Sequence, residues 1–318
     1  MKLHIFSLSG FNICWIILFG IIIAALSGCE NIEAELPKQT NKKSIRCSDR
    51  NKLHLEFFQT NNQGNRDNRG INHVIIFNPK SPNLDFKVNV GLKHPLYAKN
   101  KRGQFRREYQ GKMFHELVTN DDAKLNGKRA IAAINADYID PENKPQGLNI
   151  SRGVEYAGSF QNSRSSFAIS GGKPQQRIAT MQLGKRNQST LNYNAVGGNG
   201  RFYRQGVFTD VCPKLGEYAC KEAKNRSMVA ITTKGYVILL VNDIKANSDI
   251  QASSLNQELL PDMFDDVLTG IARQNCLGNI QEGMLFDGGF SPGLYYQNKF
   301  YVENRGPIGS VFLIYQNK

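Results

Sequence analysis

Histidine, clustered cysteine and acidic charge are what this chain has little of. Its five histidines all lie at or before His115, and no Cys-x-x-Cys occurs, which argues against a zinc site. With histidines placed so, and no nucleophile-elbow turn to set beside them, a Ser–His hydrolase finds no support. Phosphate-loop and dinucleotide fingerprints are missing, and no internal repeat is visible. Acidic residues number 27 against 40 Lys+Arg, giving a formal charge of +13. A charge of that size predicts attraction to anionic partners and says nothing about fold.

A leader, by contrast, is present. Lys2 supplies a minimal positive start, and residues 11–26 are apolar apart from Asn12 and Gly20. Leu26-Ser27-Gly28-Cys29 resembles a bacterial lipobox, in which the cysteine is lipidated and becomes the new N-terminus. The apolar run is short for a span of about 20 residues, which favours cleavage over an uncleaved membrane anchor. Residues 1–28 therefore read as a signal peptide and residues 29–46, polar and Pro-containing, as a lipid-anchored tether. Residues 47–318 remain as one domain, exported and held at the cell-envelope membrane. That placement turns the positive charge away from nucleic acid.

Four further cysteines, Cys47, Cys212, Cys220 and Cys276, would meet an oxidising compartment. Cys212 and Cys220 bracket a short Pro- and Gly-containing loop and are the expected pair; Cys47 with Cys276 would then tie the chain's entry to its last third. Four cysteines allow three pairings, and spacing alone does not select one.

Along the domain, strands are expected over residues 53–58, 73–77, 85–90, 129–135, 167–170 and 178–183. Hairpins follow over 228–241 and 294–302, and a last strand over 310–315. Residues 61–70 and 192–200, rich in Asn and Gly, read as loops. Helices are expected over 114–125 and over 261–275, where Pro261 opens an amphipathic run. Strands dominate and helices are few, which describes an α+β domain with a mixed, largely antiparallel sheet. His73 reads as a sheet-surface residue. Residues 93–112 form a long polar loop with seven Lys and Arg against Glu108 alone, interleaved with Tyr97, Phe105 and Tyr109. Charge runs are mostly solvated surface, yet long loops in compact domains are often functional. This one suits a phosphorylated or otherwise anionic glycan.

One stretch organises the rest: Gly283-Met284-Leu285-Phe286-Asp287-Gly288-Gly289-Phe290-Ser291-Pro292-Gly293. A short apolar strand ends abruptly on a carboxylate, two glycines and a hydroxyl. Gly288 and Gly289 allow positive φ and close approach of a ligand to the backbone. A lone Asp-Gly-Gly is usually an ordinary turn; the company it keeps lifts it here. A strand delivers Asn135, Asp137 and Tyr138 at its end, and Arg226 opens a hairpin strand.

In order along residues 50–318, these blocks resemble the phosphodiester glycosidase domain family, relatives of the mannose-phosphate uncovering enzyme. The matching segments are Ala133-Ile134-Asn135-Ala136-Asp137-Tyr138, Pro145-Gln146-Gly147-Leu148 with the turn at Arg152-Gly153, Asn225-Arg226-Ser227, the helix leading to Asp287-Gly288-Gly289-Phe290-Ser291, and the last strand after Arg305. The family commonly has Asn-Gly-Gly-Phe where this chain has Asn135-Ala136-Asp137-Tyr138, and a third glycine where it has Phe290.

The resemblance implies hydrolysis of a sugar linked through a phosphodiester, or of a related envelope glycan. That reaction needs proton transfer and cations for phosphate. Asp287 and Asp137 are the expected catalytic carboxylates, with acid and base unassigned. Arg226 is the expected phosphate clamp, and Asn135, Gly147, Gly288, Gly289 and Ser291 the expected substrate contacts. No particular cofactor is identified, and two carboxylates with Asn and Ser oxygens also suit a divalent cation, without any dedicated loop pattern for one. The alternative is a glycan-binding or envelope-assembly lipoprotein that keeps the fold without turnover, which the Phe290 and Ala136-Asp137 departures favour. Metabolic labelling with a fatty acid is expected to mark the wild-type chain and not Cys29→Ala; labelling that survives the substitution contradicts the lipoprotein assignment.

Overall fold

The computed structural model describes residues 47–52, 54–61, 71–156, 164–183, 191–215, 220, 225–243 and 259–317, all within one compact unit, Lys42–Lys318. The expected signal peptide, Cys29, the tether and most of the 61–70 loop lie outside the described residues.

Strands are numbered in chain order. The first sheet has seven, in the order β1 (Leu55–Asn61), β2 (Ile71–Phe77), β13 (Val237–Asp243), β12 (Arg226–Thr232), β14 (Ile280–Leu285), β10 (Asn199–Arg204) and β11 (Val207–Phe208). The second runs β16 (Lys299–Val302), β15 (Leu294–Tyr296), β4 (Ala132–Asn135), β17 (Ser310–Gln316), β3 (Leu84–Val90). The third runs β6 (Val154–Tyr156), β5 (Asn149–Ser151), β9 (Asn194–Gly197), β7 (Ser165–Ile169), β8 (Ala179–Leu183). Every ladder among the described strands is antiparallel.

All three sheets bury a face in one core. Ile75 and Leu239 enter it from the first sheet, Phe86, Ile134 and Phe312 from the second, and Phe167 and Val196 from the third. The outer face of the first sheet is covered by α3 (Phe264–Gln274) through Phe264, Val267, Leu268 and Ile271. The outer face of the second is covered by α1 (Phe114–Thr119) through Phe114, Leu117 and Val118. A third short helix, α2 (Cys212–Leu215), carries one end of a disulfide. β17 shows the logic of period two: Phe312 and Ile314 face the shared core, while Val311, Leu313 and Tyr315 face α1. With both faces buried, strands such as β12 and β13 read as near-continuous apolar runs. The Cys212–Cys220 pair is joined, and so is Cys47–Cys276, across a separation of 229 residues.

Several expectations need correction. Residues 192–200 are not a loop: they hold β9 and the start of β10, and Asn194 and Gly197 are buried there. The expected helix over 114–125 stops at Thr119, because the Asn120 side chain accepts from Ala123 N at 2.9 Å and starts a separate 3-10 turn. His73 is buried rather than on the sheet surface, with Gln59 Nε2 3.1 Å from its Nδ1; desolvation lowers its pKa to about 4 and keeps it neutral.

Candidate functional site

β14 ends at Leu285, and its neighbour β12 begins at Arg226 at the same end of the first sheet. Their antiparallel register pairs Met228 with Leu285. Phe286 N donates to Ser227 O at 2.8 Å and carries the ladder one step further. Arg226, two residues before Met228, opens β12 beside this turn. Gly289 N then donates to Asn225 O at 2.9 Å and Ser291 N to Gly288 O at 3.3 Å, closing the turn. Gly289 takes φ +69, the left-handed conformation its sequence position anticipates, and a Cβ on Gly288 would stand 3.2 Å from Asn225 O.

The second sheet grips this turn from the other side. Asp287 N donates to Ala136 O at 2.8 Å, just beyond the end of β4. Asn135, wholly buried, gives its amide nitrogen to Asp287 O at 2.8 Å and accepts from Gly293 N at 3.1 Å. That side chain thus donates to and accepts from the two ends of the turn and clamps Asp287 in place. The Ser291 side chain hydrogen-bonds the Asp287 carboxylate.

The two carboxylates occupy different environments. Asp137 is fully buried. Its Oδ2 accepts from Gly147 N and from Asn149 Nδ2, each at 2.6 Å, and its Oδ1 from Tyr138 N at 2.8 Å. Two glycines make room for it: a Cβ on Gly147 would come 3.2 Å from its oxygens and 2.7 Å from Gly197 Cα, and a Cβ on Gly197 would come 2.6 Å from its Cγ. Burial pushes its pKa up to about 6, against the pull of the Gly147 N–H and the Asn149 amide. Asp287 is only partly covered. Desolvation pushes its pKa up to about 7; the Ser291 hydrogen bond opposes this and the Asp137 charge adds to it.

Tyr138 and Arg164 complete the group. The Tyr138 hydroxyl lies 3.3 Å from Phe286 O, and desolvation, helped by the Asp287 charge, keeps the phenol protonated far above neutrality. The Arg164 guanidinium sits 4.6 Å from the Tyr138 ring centroid, bonds Gln146 Oε1, and its charge acts on both aspartates. Arg226 is buried and its charge also reaches the Tyr138 phenol. Asn135, Asp137, Arg226, Asp287, Gly288, Gly289 and Ser291 are therefore gathered at one junction, with Gly147 behind Asp137. Sequence reasoning gave no role to Arg164, Asn149 or Gly197. Arg164 stands just before β7, the same kind of position that brought Arg226 forward, so that signal was available. Gly197 lay inside an apparent loop.

Residues 289–293 also spell Gly-x-Ser-x-Gly. A nucleophile elbow needs a strand–turn–helix, whereas this turn runs into strand β15 and Ser291 bonds Asp287. No cluster of three or more His, Cys, Asp or Glu poised to hold a metal occurs among the described residues, and three N–H donors already occupy the Asp137 oxygens. Phe290, 69% exposed, stands in the turn with its carbonyl accepting from Arg305 N at 2.8 Å.

Residues 128–315 match a protein-family model described as phosphodiester glycosidase. Among solved structures, the chain is similar to the zebrafish N-acetylglucosamine-1-phosphodiester alpha-N-acetylglucosaminidase catalytic domain auto-inhibited by pro-peptide. The identity is 12% and the TM-score 0.54, with 83% of each chain covered. It is also similar to a hypothetical protein from Synechocystis at 15% identity and a TM-score of 0.53, covering 83% of this chain and 62% of that one. At these identities the likeness is one of fold. No curated protein matches.

The contrast between the aspartates is measurable as stability. Asn at position 137 turns an N–H donor towards another donor whichever way its amide lies, so Asp137→Asn is expected to lose about 1–3 kcal/mol. Asp287→Asn behaves in the opposite sense. A carboxyl whose native pKa is raised binds its proton more tightly folded than unfolded, so its ionisation costs stability above about 7. That cost fades as pH falls from about 7 towards the unfolded value near 4. Thermal melts should therefore show Asp287→Asn at or above wild type at pH 8, with the difference shrinking towards pH 4. Equal losses in both variants at pH 8 would contradict the distinction.

Proposed function

The chain belongs to the phosphodiester glycosidase family, and we propose that it hydrolyses a sugar held through a phosphodiester, with Asp287 as the group that moves the proton. The observation carrying this reading is the Asp287 carboxyl: partly accessible, fixed from two sheets, and raised to about 7. A pKa near the working pH is what general acid–base catalysis needs. Phosphate leaves readily without protonation, so activating water is the harder half of the reaction. Asp287 takes a proton from water as the water oxygen attacks the anomeric carbon. The bond from that carbon to the phosphate oxygen breaks, and the phosphate monoester leaves with the bonding pair.

Arg164 and Arg226 are the cations for the substrate's phosphate, with Arg's planar fork suited to bidentate contact. Tyr138, kept protonated, is a hydrogen-bond donor at the same junction. Asp137 holds the Gly147–Asn149 segment and the Tyr138 backbone in place and takes no proton from substrate. The disulfides suit an oxidising compartment, and the reading includes export with a lipid on Cys29. A second reading, glycan binding without turnover, is favoured by the exposed Phe290, a ring free to stack on a sugar.

Hydrolysis of a phosphodiester-linked sugar is expected to rise with pH through about 7 and to fall by at least a hundredfold in Asp287→Asn. Arg226→Lys should raise KM more than it lowers kcat, because a point charge cannot reproduce a fork. A rate that falls as pH rises through 7 would make Asp287 the acid instead. Sugar binding with no turnover on any phosphodiester-linked sugar would leave the binding reading in its place.

A further inference from the structure

Residues 93–112, which precede the family-matched segment, form a built ribbon rather than a slack loop. Lys99 and Phe105 are antiparallel partners. Arg106 N donates to Ala98 O at 3.0 Å and Asn100 N to Gln104 O at 2.8 Å. The tip is locked by Asn100, whose side chain accepts from Arg102 N at 2.9 Å and from Gln104 N at 3.0 Å, with Gly103 at φ +75. Lys99 and Phe105, directly opposite one another, share one face of the ribbon, and Tyr97 stands just before it in the turn where Ala98 N donates to Pro95 O at 2.9 Å. Both rings are open to solvent: Tyr97 is 71% and Phe105 60% exposed. The opposite face, with Ala98 and Arg106, is half-buried.

The charges divide in the same way. Glu108 is shared by Lys93, His94 and Arg106 at 3.4–3.5 Å. Lys99, Lys101 and Arg102 have no ion-pair partner among the described residues. Lys99 Nζ stands 5.4 Å from the Phe105 ring centroid. Arg107 donates to Glu155 O at 2.6 Å and fastens the ribbon to β6. The ribbon's root leads to the candidate site: Ile308 N donates to Lys112 O at 3.0 Å, and the next residue, Gly309, donates to Asp137 O at 2.9 Å.

We propose that this ribbon docks a phosphate-bearing polysaccharide, with Tyr97 and Phe105 stacking on sugar rings and Lys99, Lys101 and Arg102 meeting the phosphates. The inference rests on the phosphodiester-linked sugar reading and extends it from one linkage to the polymer that carries it. Two exposed rings interleaved with cations that lack ion-pair partners among the described residues match a chain of sugars and anions. A ribbon built to enter a membrane would carry its apolar residues at the tip, whereas residues 100–104 are Asn, Lys, Arg, Gly and Gln and the rings are set back.

The test measures binding of the purified full chain to phosphomannan, with dephosphorylated mannan and anionic phosphatidylglycerol vesicles in parallel. Tyr97→Ala/Phe105→Ala is expected to weaken phosphomannan binding at least tenfold. Lys99→Gln/Lys101→Gln/Arg102→Gln should weaken it at low salt and flatten its salt dependence, since exposed charges are screened. Both variants should melt as wild type and hydrolyse a small phosphodiester-linked sugar at the wild-type rate. Wild-type phosphomannan binding by either variant overturns the proposal. So does ring-dependent binding to vesicles with none to phosphomannan. Ribbon-dependent phosphomannan binding without hydrolysis of any substrate would support the docking surface while removing the catalytic reading.

Discussion

The hydrogen bond from Asp287 N to Ala136 O, 2.8 Å long, joins the ends of two sheets that also share a core. Asn135 doubles it by reaching from β4 to both ends of the same turn. Residues 135 and 287 lie 152 positions apart, and neither sheet alone would bring their strand ends together. The polar groups of the site depend on this suture, because it fixes the carboxyl of Asp287 where the first sheet delivers Arg226 and the second delivers Tyr138.

Asp137 extends the suture to the third sheet. Its carboxylate gathers Gly147 N and the Asn149 side chain from the segment entering β5, and it rests against Gly197 at the end of β9. A buried carboxylate with three N–H donors organises backbone that would otherwise be free to vary. Its charge also acts on Asp287 and helps to hold that proton. The extra carboxylate in this chain's Asn-Ala-Asp-Tyr segment is thus held by three N–H donors, while the Asp287 carboxylate is partly open to solvent.

Much of this was legible in the sequence, for identifiable reasons. The apolar run ending in Asp-Gly-Gly marked a strand end with a special turn, because only glycine is at ease at the φ of Gly289. The helix behind the first sheet was marked by Pro261 and the apolar stripe from Phe264 to Ile271. The family resemblance supplied the order of the remaining blocks. What sequence hid was burial. That Asn135 is wholly buried and bonded to both ends of the Asp287 turn could not be read from its polar amide. Residues 192–200 looked like a loop because Asn and Gly usually mean one. Here that segment holds β9 and the start of β10, and Gly197 leaves space for the Asp137 carboxylate. The ribbon over 93–112 was readable as basic and aromatic, but not that Phe105 pairs with Lys99 with its ring exposed, since that depends on the fold.

The account turns on one property: that burial and the neighbouring Asp137 charge hold the Asp287 proton to about neutral pH. A ¹³C NMR titration of the Asp287 side-chain carboxyl reads this without any substrate. The account predicts a midpoint near 7 in the wild-type protein. A midpoint near 4, the ordinary carboxylate value, would contradict it.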